Sequence, residues 1–304
     1  MATLNVAKMV EFEGHKDCIY ALTTGREPYE FYTGAGDGWV VYWNMKEGNQ
    51  GKLIATFPTS IYALRYFPGQ NMMLVGLSRG GYYFLDLEKK EPYATFQKDH
   101  GIFDFKNIPG TPYMVVAGEK GNLHIVDTEK YKEVKSFKPG NGNARKINFS
   151  PDGKQFAVGF SDEYVRLFNS AKFEQEGAFW GHENSAFSVV YTPDNRFLIT
   201  GGRDAQLKVW ERANDHQLYM KIPAHYFTIN DIVISPSGKW FATGSRDKTV
   251  KIWDTESFEL YKVIDLEKLA GHRHSINEML WSSYNDYLVS AGDDKTIKVW
   301  SIDE

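Results

Sequence analysis

The chain has one cysteine, Cys18, in 304 residues. A lone thiol has no partner for an internal disulfide, so nothing in the composition points to an oxidising compartment. No stretch approaches the ~18 consecutive apolar residues of a membrane-spanning helix. The opening MATLNVAKMVEFEGH has no basic head followed by an apolar run, so no signal peptide is expected. A positive balance is also missing: 35 Lys and Arg stand against 39 Asp and Glu, a net charge of −4. That balance offers no general attraction to a phosphate backbone, so neither nucleic acid nor membrane is an expected partner. Helical periodicity is nearly absent. The expectation is a water-soluble cytoplasmic protein, monomeric on its own.

What the chain has instead is aromatic residues: 18 Tyr, 20 Phe and 8 Trp, 15% of the total. Its 27 Gly and 11 Pro fall between short apolar runs rather than in one linker. Aromatic side chains fit pleated surfaces and Gly or Pro punctuates turns, so the composition leans to β structure.

The sequence repeats. DGWVVYWNM, GGYYFLDL, GNLHIVDT, DEYVRLFNS, DAQLKVWER, DKTVKIWDT and DDKTIKVWS read as one strand in seven copies. Their last large apolar residues are Trp43, Leu85, Val126, Phe168, Trp210, Trp253 and Trp300, at intervals of 42, 41, 42, 42, 43 and 47 residues. Each copy also holds an alternating run such as SAFSVVYTP, a turn such as PDNR or PSGK, and an apolar run ending in Gly such as FLITGG. Four short strands in ~40–45 residues is the pattern of a propeller blade.

GH…TGGRDAQLKVW, AH…TGSRDKTVKIWD and GH…SAGDDKTIKVWS resemble WD40 repeats, and the resemblance runs along essentially the whole chain. It implies an all-β fold, a seven-bladed β-propeller of four-stranded antiparallel blades, with residues 1–304 as a single domain. After Trp300 only SIDE remains, and LNVAKMVEF precedes the first Gly-His without a copy of its own. The resemblance implies that this N-terminal strand completes the last blade and removes an open sheet edge.

Four copies are complete: His15, Thr33, Asp37, Trp43; His182, Thr200, Asp204, Trp210; His225, Thr243, Asp247, Trp253; and His272, Ser290, Asp294, Trp300. A hydroxyl, a His and an Asp are the parts of a hydrolytic triad. The offsets of 18, 4 and 6 residues are, however, identical in all four copies. Catalysis needs one nucleophile in one cleft with an oxyanion site, not four copies. Buried polar atoms need partners. Asp can accept from the imidazole, the imidazole from the hydroxyl, and the hydroxyl oxygen from the indole N–H. In WD40 proteins such residues form a structural tetrad, and these positions match it one by one. Copies two to four depart: Arg79 and Lys120 stand at or near the Asp slot, Asp162 is kept, and none has a His in register.

Other chemistry is thin. TGAGDG at 33–38 is followed by a strand, whereas phosphate cradling needs a helix N-terminus. His272 and His274 lack a third metal ligand, and His272 belongs to a tetrad. The Asn148 sequon lies in a strand. No catalytic residue, metal or cofactor is expected.

Propeller loops carry binding residues on a rigid scaffold. The resemblance points to two positions per blade. The first set is Tyr20, Tyr62, Phe103, Arg145, Phe187, Asn230 and Asn277. The second is Gly36, Ser78, Glu119, Ser161, Arg203, Arg246 and Asp293. Aromatics and Arg are enriched at interface hot spots. Tyr20, Tyr62, Phe103, Arg145, Phe187, Arg203 and Arg246 are therefore the candidate partner-binding residues of a non-enzymatic scaffold within a larger assembly. Its partner would be a protein or peptide with acidic and apolar anchor groups. Three alternatives stand: a hydrolase or lyase site at a central channel, a modified-peptide reader using Tyr20 and Tyr62 as cage walls, and aromatics that merely fill a channel mouth. The Trp253–His272 junction is longer than its counterparts and reads as a lengthened loop.

Overall fold

The computed structural model describes residues 4–303. They form seven four-stranded antiparallel sheets, the blades of a seven-bladed β-propeller. Blade 1 begins with Ile19–Thr24, blade 2 with Ile61–Phe67, blade 3 with Ile102–Asn107, blade 4 with Ala144–Phe149, blade 5 with Ala186–Tyr191, blade 6 with Ile229–Ile234 and blade 7 with Ile276–Trp281. Three strands of blade 7 come from the end of the chain. The fourth is Asn5–Glu13, paired along Thr296–Asp303 from Asn5↔Asp303 to Glu13↔Thr296.

Within a blade, burial follows strand position. The second strands Met72–Leu77, Phe197–Gly202 and Trp240–Ser245 are buried at every residue, which is why they read as unbroken apolar runs. A fourth strand such as Lys132–Phe137 alternates between exposed and half-buried residues. By contacts the chain forms two compact units, residues 1–98 with 233–304, and residues 99–232. One core cluster of the first unit packs Phe12 against Phe31 and Trp43, with ring centroids 5.6 and 5.4 Å away, alongside Ile297 and Val299. In the second unit, Phe156 and Phe168 stack at 4.9 Å in the blade 4 core.

The turn between second and third strands places a left-handed residue just after the tetrad aspartate. Ala205, Lys248 and Lys295 have φ of 62, 76 and 66°. Gly38 holds this place in blade 1 with φ of 75°, where a β-carbon would fall 2.2 Å from the Phe57 carbonyl oxygen. The long junction before blade 7 is more ordered than a lengthened loop. It folds into one helical turn, Leu266–Leu269, whose Lys268 N–H donates to the Asp265 carboxylate at 2.8 Å. Asp is a favoured cap because it accepts from the first free N–H groups of a helix.

Candidate functional site: tetrads and loop-bearing face

The repeated residues meet. In blade 5, His182 Nδ1 lies 2.9 Å from Asp204, His182 Nε2 lies 2.8 Å from Thr200 Oγ1, and Trp210 Nε1–H donates to the same oxygen at 2.9 Å. Blade 1 repeats this with His15 Nδ1–Asp37 at 3.0 Å, His15 Nε2–Thr33 at 2.7 Å and Trp43–Thr33 at 2.8 Å. Blade 7 does so with His272–Asp294 at 2.9 Å, His272–Ser290 at 2.8 Å and Trp300–Ser290 at 2.9 Å. In blade 6, Trp253 donates to Thr243 at 2.9 Å, and His225 is buried.

The chemistry sets the proton positions. An ionised carboxylate only accepts, so Nδ1 carries the hydrogen and Nε2 of the neutral ring accepts from the hydroxyl. Burial lowers the pKa of His15 and His182 from the ordinary 6.5, outweighing the aspartates that pull it up. Burial pushes the Asp204 carboxyl up. The His182 hydrogen bond and charge, with the Glu183 and Gln206 N–H groups, outweigh it, so the net shift is downward. Asp294 is likewise lowered.

These shifts predict the pH dependence of stability. Between 6.5 and the lower folded values, the unfolded chain binds protons at His15 and His182 that the native state refuses. Their contribution is full above pH 6.5 and shrinks as pH falls. A second loss follows as Asp204 and Asp294 are protonated below the ordinary 3.8. Thermal midpoints measured from pH 7 to 4 should decline progressively; a midpoint that holds or rises over that range sinks the neutral-histidine tetrad.

Blades 2 to 4 use other braces. In blade 4, the Arg166 guanidinium grips Asp162 with two bonds of 2.8 Å and lies 4.5 Å from the Phe160 ring. In blade 2, Tyr82 stacks on Phe96 at 4.7 Å. Blade 3 joins two buried histidines, His100 and His124, with Nε2 atoms 3.2 Å apart. Neither is in tetrad register, so repeat alignment gave no sign of them.

The expected docking positions share a backbone feature. In the first strands of blades 1 to 5 and 7, pairing slips just after the first residue: Ile19/Ala21, Ile61/Ala63, Ile102/Asp104, Ala144/Ile147, Ala186/Ser188 and Ile276/Glu278. The skipped residues include Tyr20, Tyr62, Phe103, Arg145, Phe187 and Asn277. A bulge frees a residue from the ladder and re-aims its side chain.

In the first unit, Tyr20 and Tyr62 pack edge to face at 5.1 Å and 88°. One ring's edge meets the other's face. Burial pushes the Tyr20 hydroxyl far up, so it stays neutral. Asn277 Nδ2 donates to Ile19 O at 2.9 Å and to Asp293 at 2.7 Å, which commits both residues within the unit. Gly36 packs on Asp17, Ser78 N–H donates to Ser60 O, and Arg246 is exposed. In the second unit, Arg145 lies between two rings, 4.5 Å from Phe103 and 4.8 Å from Phe187. Its cation is therefore held over two aromatic rings. Glu119 accepts from Gly101 N–H and Ser161 from Asn143 N–H, while Asn230 is half-buried. Arg203 is exposed and, among the described residues, its side chain makes no ion pair.

Sequence reasoning missed Tyr226 and Phe227, which are 89% and 58% exposed. They directly follow His225, where the other complete repeats carry Lys16-Asp17, Glu183-Asn184 and Arg273-His274. That contrast was the available signal. His225 N–H donates to Ala205 O at 3.3 Å, so the segment that bears this aromatic pair runs beside the turn that bears Arg203.

Among the described residues, no group of three or more His, Cys, Asp or Glu could hold a metal ion, and no helix is long and apolar enough to cross a membrane.

Seven four-stranded blades, three of them (1, 5 and 7) with a buried His–hydroxyl–Trp chain, define the class: a β-propeller built from WD repeats. The family described as "WD domain, G-beta repeat" matches residues 131–169, 173–211, 216–254 and 265–301, about half of the chain. The chain belongs to this WD40-repeat family. It is similar to WD repeat-containing protein 1-B of Xenopus laevis, 30% identical over 86 residues, which cover 28% of this chain and 14% of that protein. It is 20% identical over 220 residues to human Echinoderm microtubule-associated protein-like 4, covering 71% of this chain and 18% of that protein. Human WD repeat and HMG-box DNA-binding protein 1 shares 30% identity over 69 residues, 23% of this chain and 6% of its own length. The chain thus spans less than a fifth of the length of these relatives.

Proposed function

We propose that the chain is a non-enzymatic protein-binding scaffold that takes part in a larger assembly. Membership of a repeat family shared with larger proteins supports this in general terms. The observation that carries the specific reading is the exposed Tyr226–Phe227 pair beside exposed Arg203 on the second unit. A soluble protein gains nothing from holding two adjacent aromatic side chains in water, and Tyr and Arg dominate interface hot spots. The partner surface suited to this corner is an apolar pocket flanked by a carboxylate, which a guanidinium grips with two hydrogen bonds. On the first unit, exposed Arg246 is a separate candidate with the same preference.

The test is affinity capture from native lysate with mass spectrometry. Tyr226→Ala with Phe227→Ala should remove the specific partner, and Arg203→Glu should weaken capture at least tenfold. Each change leaves the melting curve within about 0.5 kcal/mol of the parent, as expected for exposed positions. Undiminished capture by the folded variants rejects this corner as the docking site.

A further inference from the structure

We propose that Tyr29 and Tyr284, where blades 1 and 7 meet, form a binding site for the alkylammonium group of a partner's lysine, which Lys46 fills in the free protein. Lys46 Nζ lies over the Tyr29 ring, 3.6 Å from its centroid, and 5.2 Å from the centroid of Tyr284. The two rings stand 5.8 Å apart at 73°, so one ammonium meets both. All three residues belong to the first unit.

Each of the three departs from its repeat. The turn between first and second strands closes with one backbone bond. It runs from Gly25 N–H to Glu30 O in blade 1 and from Ser282 N–H to Tyr287 O in blade 7. Its counterparts in blades 4 to 6 are Ser150 to Gln155, Thr192 to Phe197 and Ser235 to Trp240. Counted from that bond, Tyr29 stands where blades 4 to 6 carry Lys154, Arg196 and Lys239. Tyr284 stands where they carry Asp152, Asp194 and Ser237. Lys46 N–H donates to the Asn44 side chain at 2.9 Å; the same turn in blades 2, 3 and 6 presents Glu88, Glu129 and Glu256. Polar turn residues thus give way to rings in two adjoining blades, and an acid gives way to a base over those rings.

The rings keep their places without Lys46. Ser282 Oγ–H donates to Pro28 O and ties the two turns together. Met45 N–H donates to Tyr29 O at 2.9 Å and Tyr287 N–H to Tyr284 O at 3.1 Å. Met45 and Tyr287 in turn pack on the buried cluster that holds Phe12 and Trp43. Lys46 itself is exposed. An exposed cation–π contact favours the seated ammonium by only about two- to fivefold. Lys46 is therefore a displaceable occupant, and it shows which chemistry the rings accept.

The charges around the rings favour a basic partner. Burial, with the carboxylates of Glu27, Glu30 and Glu47, pushes the Tyr29 hydroxyl up, which places three acids about this ring. Glu30 accepts from the Tyr42 hydroxyl at 2.7 Å. Glu27 and Glu47 are exposed and, among the described residues, make no ion pair. Residues 25–47 hold no base besides Arg26 and Lys46. A lysine with basic neighbours in its own chain matches this corner: its ammonium over Tyr29, the neighbours toward Glu27 and Glu47.

The test titrates the full chain with n-butylammonium, the end of a lysine side chain, and follows the Tyr29 and Tyr284 ring signals by ¹³C NMR. Lys46→Ala, at an exposed position, keeps the fold and should bind about two- to fivefold more tightly than the parent. n-Butanol, of the same length without the charge, should move neither signal. A hexalysine peptide should displace butylammonium from Lys46→Ala, and its fully acetylated form should not. Equal affinity in parent and Lys46→Ala overturns the proposal. So does an equal response to butanol, or a hexalysine that leaves both rings unmoved. Adding Tyr284→Leu to Lys46→Ala should weaken butylammonium binding at least twofold. Where that variant fails to fold, the charged and uncharged probes on Lys46→Ala decide the matter. None of these readouts involves Arg203, Tyr226 or Phe227, so they stand apart from capture at that corner.

Discussion

Asp204→Ala lowers stability by about 3–5 kcal/mol, because one small deletion strands a buried imidazole N–H and two backbone N–H groups. His182 is fully buried and loses the 2.9 Å acceptor for its Nδ1–H. Glu183 and Gln206 N–H lose their acceptors at 3.1 and 3.2 Å. A buried donor left without a partner costs about 1–3 kcal/mol, and more where the lost partner was charged. For a chain of this size the midpoint should fall by roughly 5–10 °C. Arg203→Ala, one residue away and exposed, is the control and should move it by about 1 °C at most. Differential scanning calorimetry at a fixed scan rate compares the two. A loss below about 1 kcal/mol for Asp204→Ala would show that the hydrogen-bonded chain contributes little.

Phe12→Ala has a comparable effect by a different mechanism. Phe12 is fully buried on the N-terminal strand, between Phe31 and Trp43. Removing a buried phenyl ring forfeits its transfer free energy and leaves a cavity, about 3–5 kcal/mol together. The strand concerned also completes blade 7, so weakening its grip exposes the backbone of Thr296–Asp303 as an open edge. Met9 is the contrasting site: the pairing skips it between Lys8 and Val10, and it is 51% exposed. Met9→Ala should leave urea unfolding nearly unchanged, while Phe12→Ala shifts the midpoint strongly and speeds proteolytic release of the first residues. Equal effects at the two positions would mean that the strand is held by its backbone ladder alone.

The tetrads were legible in the sequence because their geometry is local to a repeat. An offset of 10 residues from Thr200 to Trp210 is fixed by the pairing of the second and third strands, where Leu198↔Trp210 and Thr200↔Lys208 set the register. The donor and acceptor capacities of Asp, His, Thr and Trp then leave essentially one way to join them. The strand count follows from the same repetition, and the closing N-terminal strand from the family resemblance.

The rest depended on packing that no offset encodes. Arg145 finds its two rings on residues 42 positions before and after it, in three separate repeats, and only the stacking of blades turns that spacing into contact. The bulge that frees Tyr20, Phe103 and Phe187 from the ladder leaves no distinct residue pattern. The blade 3 histidines, 24 residues apart, meet because a loop and a third strand converge in a blade whose tetrad slots hold other side chains. Sequence by itself determined the relations within one repeat, since register and hydrogen-bond capacity are short-range. Tertiary structure decided which odd residues became neighbours, since that follows from how sheets pack and which side chains the bulges re-aim.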